Sequence, residues 1–143
     1  MSTRMEISGL EAFLRTEFPQ MYRGTSIAIE HADGRTCRIR ETYHEGMLRP
    51  GGTVSGPTLM ALADLAMYVV LLSAIGPVGL AVTTNLGINF LSKASAGHDL
   101  IAEAKLLKLG KRLAVGEVGL NSAATPDLVA HVTATYSIPP KRD

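Results

Sequence analysis

The sequence predicts an α+β domain in which one antiparallel sheet of six strands wraps around a single buried helix. Three observations carry that prediction. From Thr58 to about Ser73 the chain is built of strong helix formers with apolar residues on every face and one carboxylate, Asp64, so this helix has to be surrounded by protein. Two strand-like segments precede it and four follow, each bounded by turn residues. A single curled antiparallel sheet is the simplest structure that satisfies such a helix on all sides.

The elements follow in order. Ser8-Gly9-Leu10-Glu11 has capping-box spacing and leads through Phe13, Leu14 and Phe18 to Pro19, which predicts a short leading helix within a segment spanning 1–22. Ser26 to Glu30 alternates around Ile27 and Ile29, Asp33-Gly34 is a hairpin turn signal, and Thr36 to Tyr43 continues as a β-branched strand. Met47 to Pro57 is rich in Gly and Pro and is expected to be a loop without regular structure, leading into the central helix at 57–74. Strands are then expected over Ala81 to Leu91, His98 to Leu109, Leu113 to Asn121 and Leu128 to Ile138. Turn-like residues separate them, and Pro139-Pro140 ends the last before a charged tail. No internal repeat or interdomain linker interrupts the pattern, so residues 1–143 are expected to form one domain.

Composition narrows the classes. With 143 residues, 46% of them hydrophobic, 19% charged and a formal net charge of +1, the chain has the character of one globular domain and no electrostatic pull toward nucleic acid. The lone Cys37 rules out an intramolecular disulfide and fits a reducing cytoplasm. The N-terminal residues lack the pattern of a secretory signal, which predicts that the protein is not exported. Leu59 to Val82 is apolar enough to raise a membrane span, but Gly76-Pro77 interrupts it and no basic cluster flanks it, so no membrane association is expected. The four His residues, 31, 44, 98 and 131, lack metal-ligand spacing, and no metal is expected. A sheet curled around one helix leaves its outer face and edges partly apolar, which predicts a homodimer at least, with a dimer of dimers as a further step.

The run Gly52 to Met67, G-T-V-S-G-P-T-L-M-A-L-A-D-L-A-M, together with this layout, resembles the hotdog thioesterases of the phenylacetate-degradation type. In that family a Gly-hydrophobic-hydrophobic-His-Gly-Gly loop opens the central helix, with an acidic residue nine positions after the His; here Ser55 stands at the His position and Asp64 is nine on. Ala81 to Ala94 is similar to the family's third strand, and G-K-R-L-A-V-G-E-V from Gly110 to its usual turn into a strand, so the resemblance covers about Thr25 to Ile138. It implies the hotdog fold, an acyl-CoA substrate, no consumed cofactor and a site at a dimer interface.

Asp64 is the sharpest candidate, because a carboxylate in an apolar helix costs several kcal/mol, on the order of the desolvation penalty, unless paired or hydrated. The resemblance implies a general base or nucleophile toward a thioester; the structural alternative is a carboxylate paired with Arg49, Arg112 or a backbone group. Gly56 precedes Pro57 at a helix start, where free amides favour negative charge. The resemblance implies that the Gly56 N–H polarises the thioester carbonyl, whereas on its own the glycine equally reads as a tight-turn residue. Two positions depart from the family pattern: Arg49 replaces its Asn, and Ser55 its His. Arg49 is always charged and suits an acyl carboxylate, a phosphate or Asp64 itself. Ser55 suits a helix cap, and as a nucleophile it would lack a nearby His base. The resemblance implies that Thr83 or Thr84 helps hold the attacking water; strand propensity explains both equally well. Lys111 and Arg112, with Lys108 beside them, could meet the phosphates of coenzyme A or simply solvate a turn. Two functions follow as expectations: an acyl-CoA thioesterase, and a non-catalytic acyl-CoA or small-ligand binding protein that keeps the cleft without the Asn and His. A dehydratase on the same fold is disfavoured by the missing His.

Overall fold

A helix without a polar face needs an enclosure, and a curled sheet provides it. The structure, a computed structural model, describes residues 5–22 and 24–140; the first four residues of the expected leading segment and the charged tail at 141–143 lie outside the described residues. In chain order the elements are α1 (Ile7–Glu17), β1 (Ile27–Ala32), β2 (Thr36–Glu41), β3 (Leu48–Arg49), β4 (Thr53–Val54), α2 (Gly56–Ile75), β5 (Val82–Phe90), β6 (Leu100–Leu109), β7 (Leu113–Ser122) and β8 (Leu128–Ser137). Short 3-10 turns sit at Pro19–Tyr22 and Glu45–Met47. Six strands form one sheet in the order β1-β2-β6-β7-β8-β5, every neighbouring pair antiparallel. The predicted α+β class and the six-stranded sheet around a central helix are what the chain adopts.

The sheet's inner face is written by alternation. On β7, Ala114, Gly116, Val118, Leu120 and Ser122 are buried while the residues between them are more exposed. On β8 the same series runs through Ala130, Val132, Ala134 and Tyr136. Against this face α2 buries Leu59, Leu62, Ala63 and every residue from Leu65 to Ala74. Gly116 marks the closest approach, since a Cβ there would stand 2.5 Å from Met67 Sδ and 2.9 Å from the Lys105 carbonyl oxygen. The helix is long and apolar enough to cross a membrane, yet 72% of its most apolar stretch is buried inside the fold.

Three local expectations are corrected. Ser8 is not the helix cap: α1 starts at Ile7 after Glu6, no side chain caps it, and the helix is held by burial of Leu10 and Leu14 against the sheet and α2. Met47 to Pro57 is not wholly irregular. Its glycines make the turn of a miniature hairpin, β3 on β4, in which Gly51 and Gly52 take φ of +100° and +79° and the Gly52 N–H donates to the Arg49 carbonyl at 3.1 Å. The strap is tied down where the Val54 N–H donates to the Ala94 carbonyl at 2.9 Å and the Ser55 N–H to the Met47 carbonyl at 2.8 Å. Finally, α2 begins at Gly56, ahead of Pro57, and runs to Ile75 before Gly76 ends it with φ +94°.

Candidate active site

Asp64 lies on the side of α2 that faces the β5–β8 end of the sheet, half-buried between the buried Ala63 and Leu65. Two neutral hydroxyls hold it. Thr83 Oγ1 donates to Asp64 Oδ1 at 2.6 Å, and the Tyr136 hydroxyl donates to the same oxygen at 2.8 Å while lying 3.1 Å from the Asp64 carbonyl. Such bonds to an ionised acceptor are stronger than neutral ones. The strands set them up: Thr83 is paired with Tyr136 across β5–β8, and the register then shifts so that Asn85 faces Thr135. Thr84 is the extra residue of that bulge; the bulge keeps Thr83 aimed inward and leaves Thr84 exposed, with its hydroxyl donating to the Thr135 carbonyl at 3.3 Å. Burial drives the Tyr136 phenol far above the ordinary tyrosine value, Thr83 opposes that and the Asp64 charge reinforces it, so Tyr136 stays a donor. Asp64 Oδ2 has no hydrogen-bond partner among the described residues.

The carboxylate opens on a cleft of about 640 Å³ between α2, the β5–β8 end of the sheet and the segment that follows α1. Its walls are largely apolar, from Phe18, Met21, Ile27, Leu62, Leu65 and Tyr68. Asp64, Thr83 and Tyr136 supply one set of polar groups, and Thr25 and Glu41 supply another.

Of the residues the sequence singled out, the fold brings Asp64 and Thr83 together and keeps the rest apart within one chain. Ser55 caps α2: its hydroxyl accepts from the Thr58 N–H at 3.3 Å and lies 2.8 Å from Thr58 Oγ1. Gly56 is the first residue of the helix, and a Cβ on it would meet the Phe90 ring at 3.2 Å. Asp64 lies eight positions along the helix from Gly56, a rise of about 12 Å. Arg49 is exposed on β3, and Lys111 and Arg112 are exposed in the turn between β6 and β7; none of the three lines the cleft or forms an ion pair among the described residues. No group of three or more His, Cys, Asp or Glu among the described residues is arranged to hold a metal ion. Tyr136 and Glu41 were not singled out. Alternation could have found both, since Tyr136 follows Ala130, Val132 and Ala134 on one face of β8, and Glu41 follows Cys37 and Ile39 on one face of β2.

Comparison with known proteins agrees with this architecture. A model of the thioesterase superfamily matches residues 51–125, which include β4, α2, β5, β6 and β7. A thioesterase candidate from Silicibacter sp. TM1040 is 43% identical, covering 98% of this chain and 96% of its own, with a TM-score of 0.89. A point mutant of the phenylacetic acid degradation protein PaaI from Thermus thermophilus is 26% identical, covers 85% of this chain and 99% of its own, and has a TM-score of 0.72. A hypothetical thioesterase from Streptococcus pneumoniae TIGR4, solved with coenzyme A, shares the fold at 17% identity and a TM-score of 0.74, covering 96% of this chain and 100% of its own. No curated protein matches the sequence. The chain belongs to the thioesterase superfamily and has the hotdog fold.

Proposed function

We propose that the protein is an acyl-CoA thioesterase whose site forms between two copies of the chain, with Asp64 as the base. The observation that carries this is the asymmetry of the Asp64 carboxylate. Thr83 and Tyr136 both occupy Oδ1, and Oδ2 is left to accept a proton at the wall of a cleft. Water gives its proton to Asp64 as its oxygen bonds the thioester carbon; the tetrahedral oxyanion then collapses, the C–S bond breaks, and the coenzyme A thiolate takes up a proton. The oxyanion needs a donor that Asp64's own chain does not place there, because the Gly56 N–H lies about 12 Å up the same helix. A second copy can present its Gly56 helix start opposite the first copy's Asp64, which makes the dimer part of the site.

In this reading Thr83 positions Asp64, and Thr84, Arg49, Lys111 and Arg112 serve substrate binding from the exposed surface, the cations suiting the coenzyme A phosphates. The coenzyme A bound to the Streptococcus pneumoniae relative agrees with that substrate class. Ser55 acts by capping α2, not as a nucleophile, since its hydroxyl is engaged by Thr58. A cytoplasmic location is part of the proposal and rests on composition and the lone Cys37.

The test is a steady-state assay on a panel of acyl-CoA thioesters with the wild type and Asp64→Ala. Loss of a positioned base lowers kcat by roughly 10²- to 10⁴-fold. A panel on which the wild type is no faster than Asp64→Ala overturns the enzyme. Acyl-CoA that still raises the melting temperature would then identify a binding protein, the function favoured by Arg49 and Ser55 standing where the family has Asn and His.

A further inference from the structure

Besides Asp64 and the exposed Glu17, the cleft is lined by a buried carboxylate that hydrolysis does not use. Glu41 is 7% exposed, at the end of the inward series Cys37, Ile39, Glu41 on β2, and it lines the same cleft. Its environment is built on one oxygen only. Thr25 Oγ1 donates to Oε2 at 2.7 Å, and His44 Nε2 lies 3.1 Å from that same oxygen. Oε1 has no hydrogen-bond partner among the described residues and is not sealed from solvent, on a residue that lines the cleft. An apolar side chain at this position would simply extend the core face of β2. A buried carboxylate instead carries a desolvation cost of several kcal/mol, on the order expected for an ion removed from water.

We infer that Glu41 is a specificity residue that reads the far end of the acyl group, accepting an O–H or N–H donor carried there. The inference rests on the thioesterase reading of Asp64 and adds the substrate class. With the thioester carbonyl at Asp64, an acyl chain lying among Phe18, Met21, Leu62, Leu65 and Tyr68 extends into the cleft that Glu41 also lines. A plain alkyl end reaching Oε1 would displace its hydration and return nothing. A hydroxyl or ammonium end replaces the lost bond. Sites built to bond a polar group reject the analogue that lacks it far more strongly than apolar pockets reject an extra methylene.

The experiment compares unbranched acyl-CoA thioesters of four to eight carbons with their ω-hydroxy and ω-amino counterparts. Calorimetric affinities for wild-type protein are measured alongside kcat/KM. At the chain length that fits, the ω-hydroxy and ω-amino members are expected to exceed the plain one by at least about tenfold. Glu41→Gln keeps an acceptor and loses the charge, so it should retain the hydroxyl preference and lose the amino preference; Glu41→Leu should lose both. Equal treatment of plain and substituted chains at every length overturns the inference, as does a preference that survives Glu41→Leu. If Glu41→Leu fails to fold, an amino preference unchanged in Glu41→Gln overturns it equally. Should nothing be hydrolysed, the thioesterase reading fails by itself, while the ratio of affinities still decides the role of Glu41.

Discussion

Asp64 is tolerable in an apolar helix because its partners are hydroxyls rather than cations. An arginine bonded to it would hold it ionised but draw down its basicity, whereas Thr83 and Tyr136 fix the carboxylate through one oxygen without adding charge. Each hydroxyl is therefore a separable part of the device. Thr83→Val keeps the β-branched shape and Tyr136→Phe keeps the ring. Each should cost about 1.5–3 kcal/mol of stability, as expected for one hydrogen bond to a charged group. Each should also lower kcat by about an order of magnitude, with KM little changed, if orientation of the base is what is lost. Melting curves and steady-state kinetics on both variants check this; a kcat equal to wild type in both would remove them from the site. At this scale the sequence was only partly legible. Asp64 stood out because a charge in an apolar helix is rare; alternation places Tyr136 and Glu41 on the inner faces of their strands, but it does not tell an inward residue that lines a cleft from one that packs in the core. Arg49 drew notice by standing where the family has Asn, and Lys111 and Arg112 through their charge; the fold leaves all three on the surface.

Among the elements, the β1–β2 hairpin shows how a turn signal becomes structure. Asp33 Oδ1 accepts from the Arg35 N–H at 2.9 Å and the Thr36 N–H at 2.7 Å, while Gly34, at φ +86°, donates its N–H to Ser73 Oγ at 3.2 Å and so ties the hairpin to α2. The Thr36 backbone bond leads, with Arg35 adding to it, in holding the Asp33 carboxyl well below the ordinary aspartate range. A depressed folded value means that the stability linked to this proton is complete above the unfolded aspartate pKa of about 3.9 and is lost as the pH falls through the folded value. Asp33→Ala should thus be less stable than wild type at neutral pH, by no more than about 1 kcal/mol because the side chain is well exposed and screened. The gap between the two should close as the pH drops below about 4; a gap that stays constant with pH would show the charge to be irrelevant. Asp33-Gly34 was readable because Asp and Gly have few other reasons to meet between two β-branched runs, and the helix because it has no polar face. The β3–β4 hairpin was not, since two-residue strands carry no periodicity. Nor were the sheet neighbours: β2 pairs with β6 across 58 intervening residues, Glu41 to Leu100, and β5 returns to the edge beside β8. Those pairings are decided by covering α2, which no local window contains.

At the scale of the whole molecule the two sheet edges differ. β1 carries Glu30 and His31 and has a bulge between Ile29 and His31, features that discourage a further strand. β5, V-T-T-N-L-G-I-N-F, has no charge and no proline, and its side chains are nowhere fully buried. Around it Leu80, Val82, Phe90 and Leu91 are 77%, 56%, 54% and 56% exposed, an apolar margin along an unpaired edge. Gly56, the proposed oxyanion donor, lies beside that strand, since a Cβ on it would stand 3.2 Å from Phe90 Cζ, so a second copy docking along β5 would meet the helix start the first copy cannot bring to its own Asp64. Assembly and activity should then fail together. The wild type should sediment as a dimer or a dimer of dimers, and Asn85→Lys with Asn89→Lys, which sets like charges along the facing β5 edges, should shift it toward monomer. Both positions are exposed, so the helical and strand signals in circular dichroism should persist while thioester hydrolysis falls in step with the dimer fraction. A monomeric wild type, or a monomeric variant with full activity, would place the complete site within one chain and require an oxyanion donor other than Gly56.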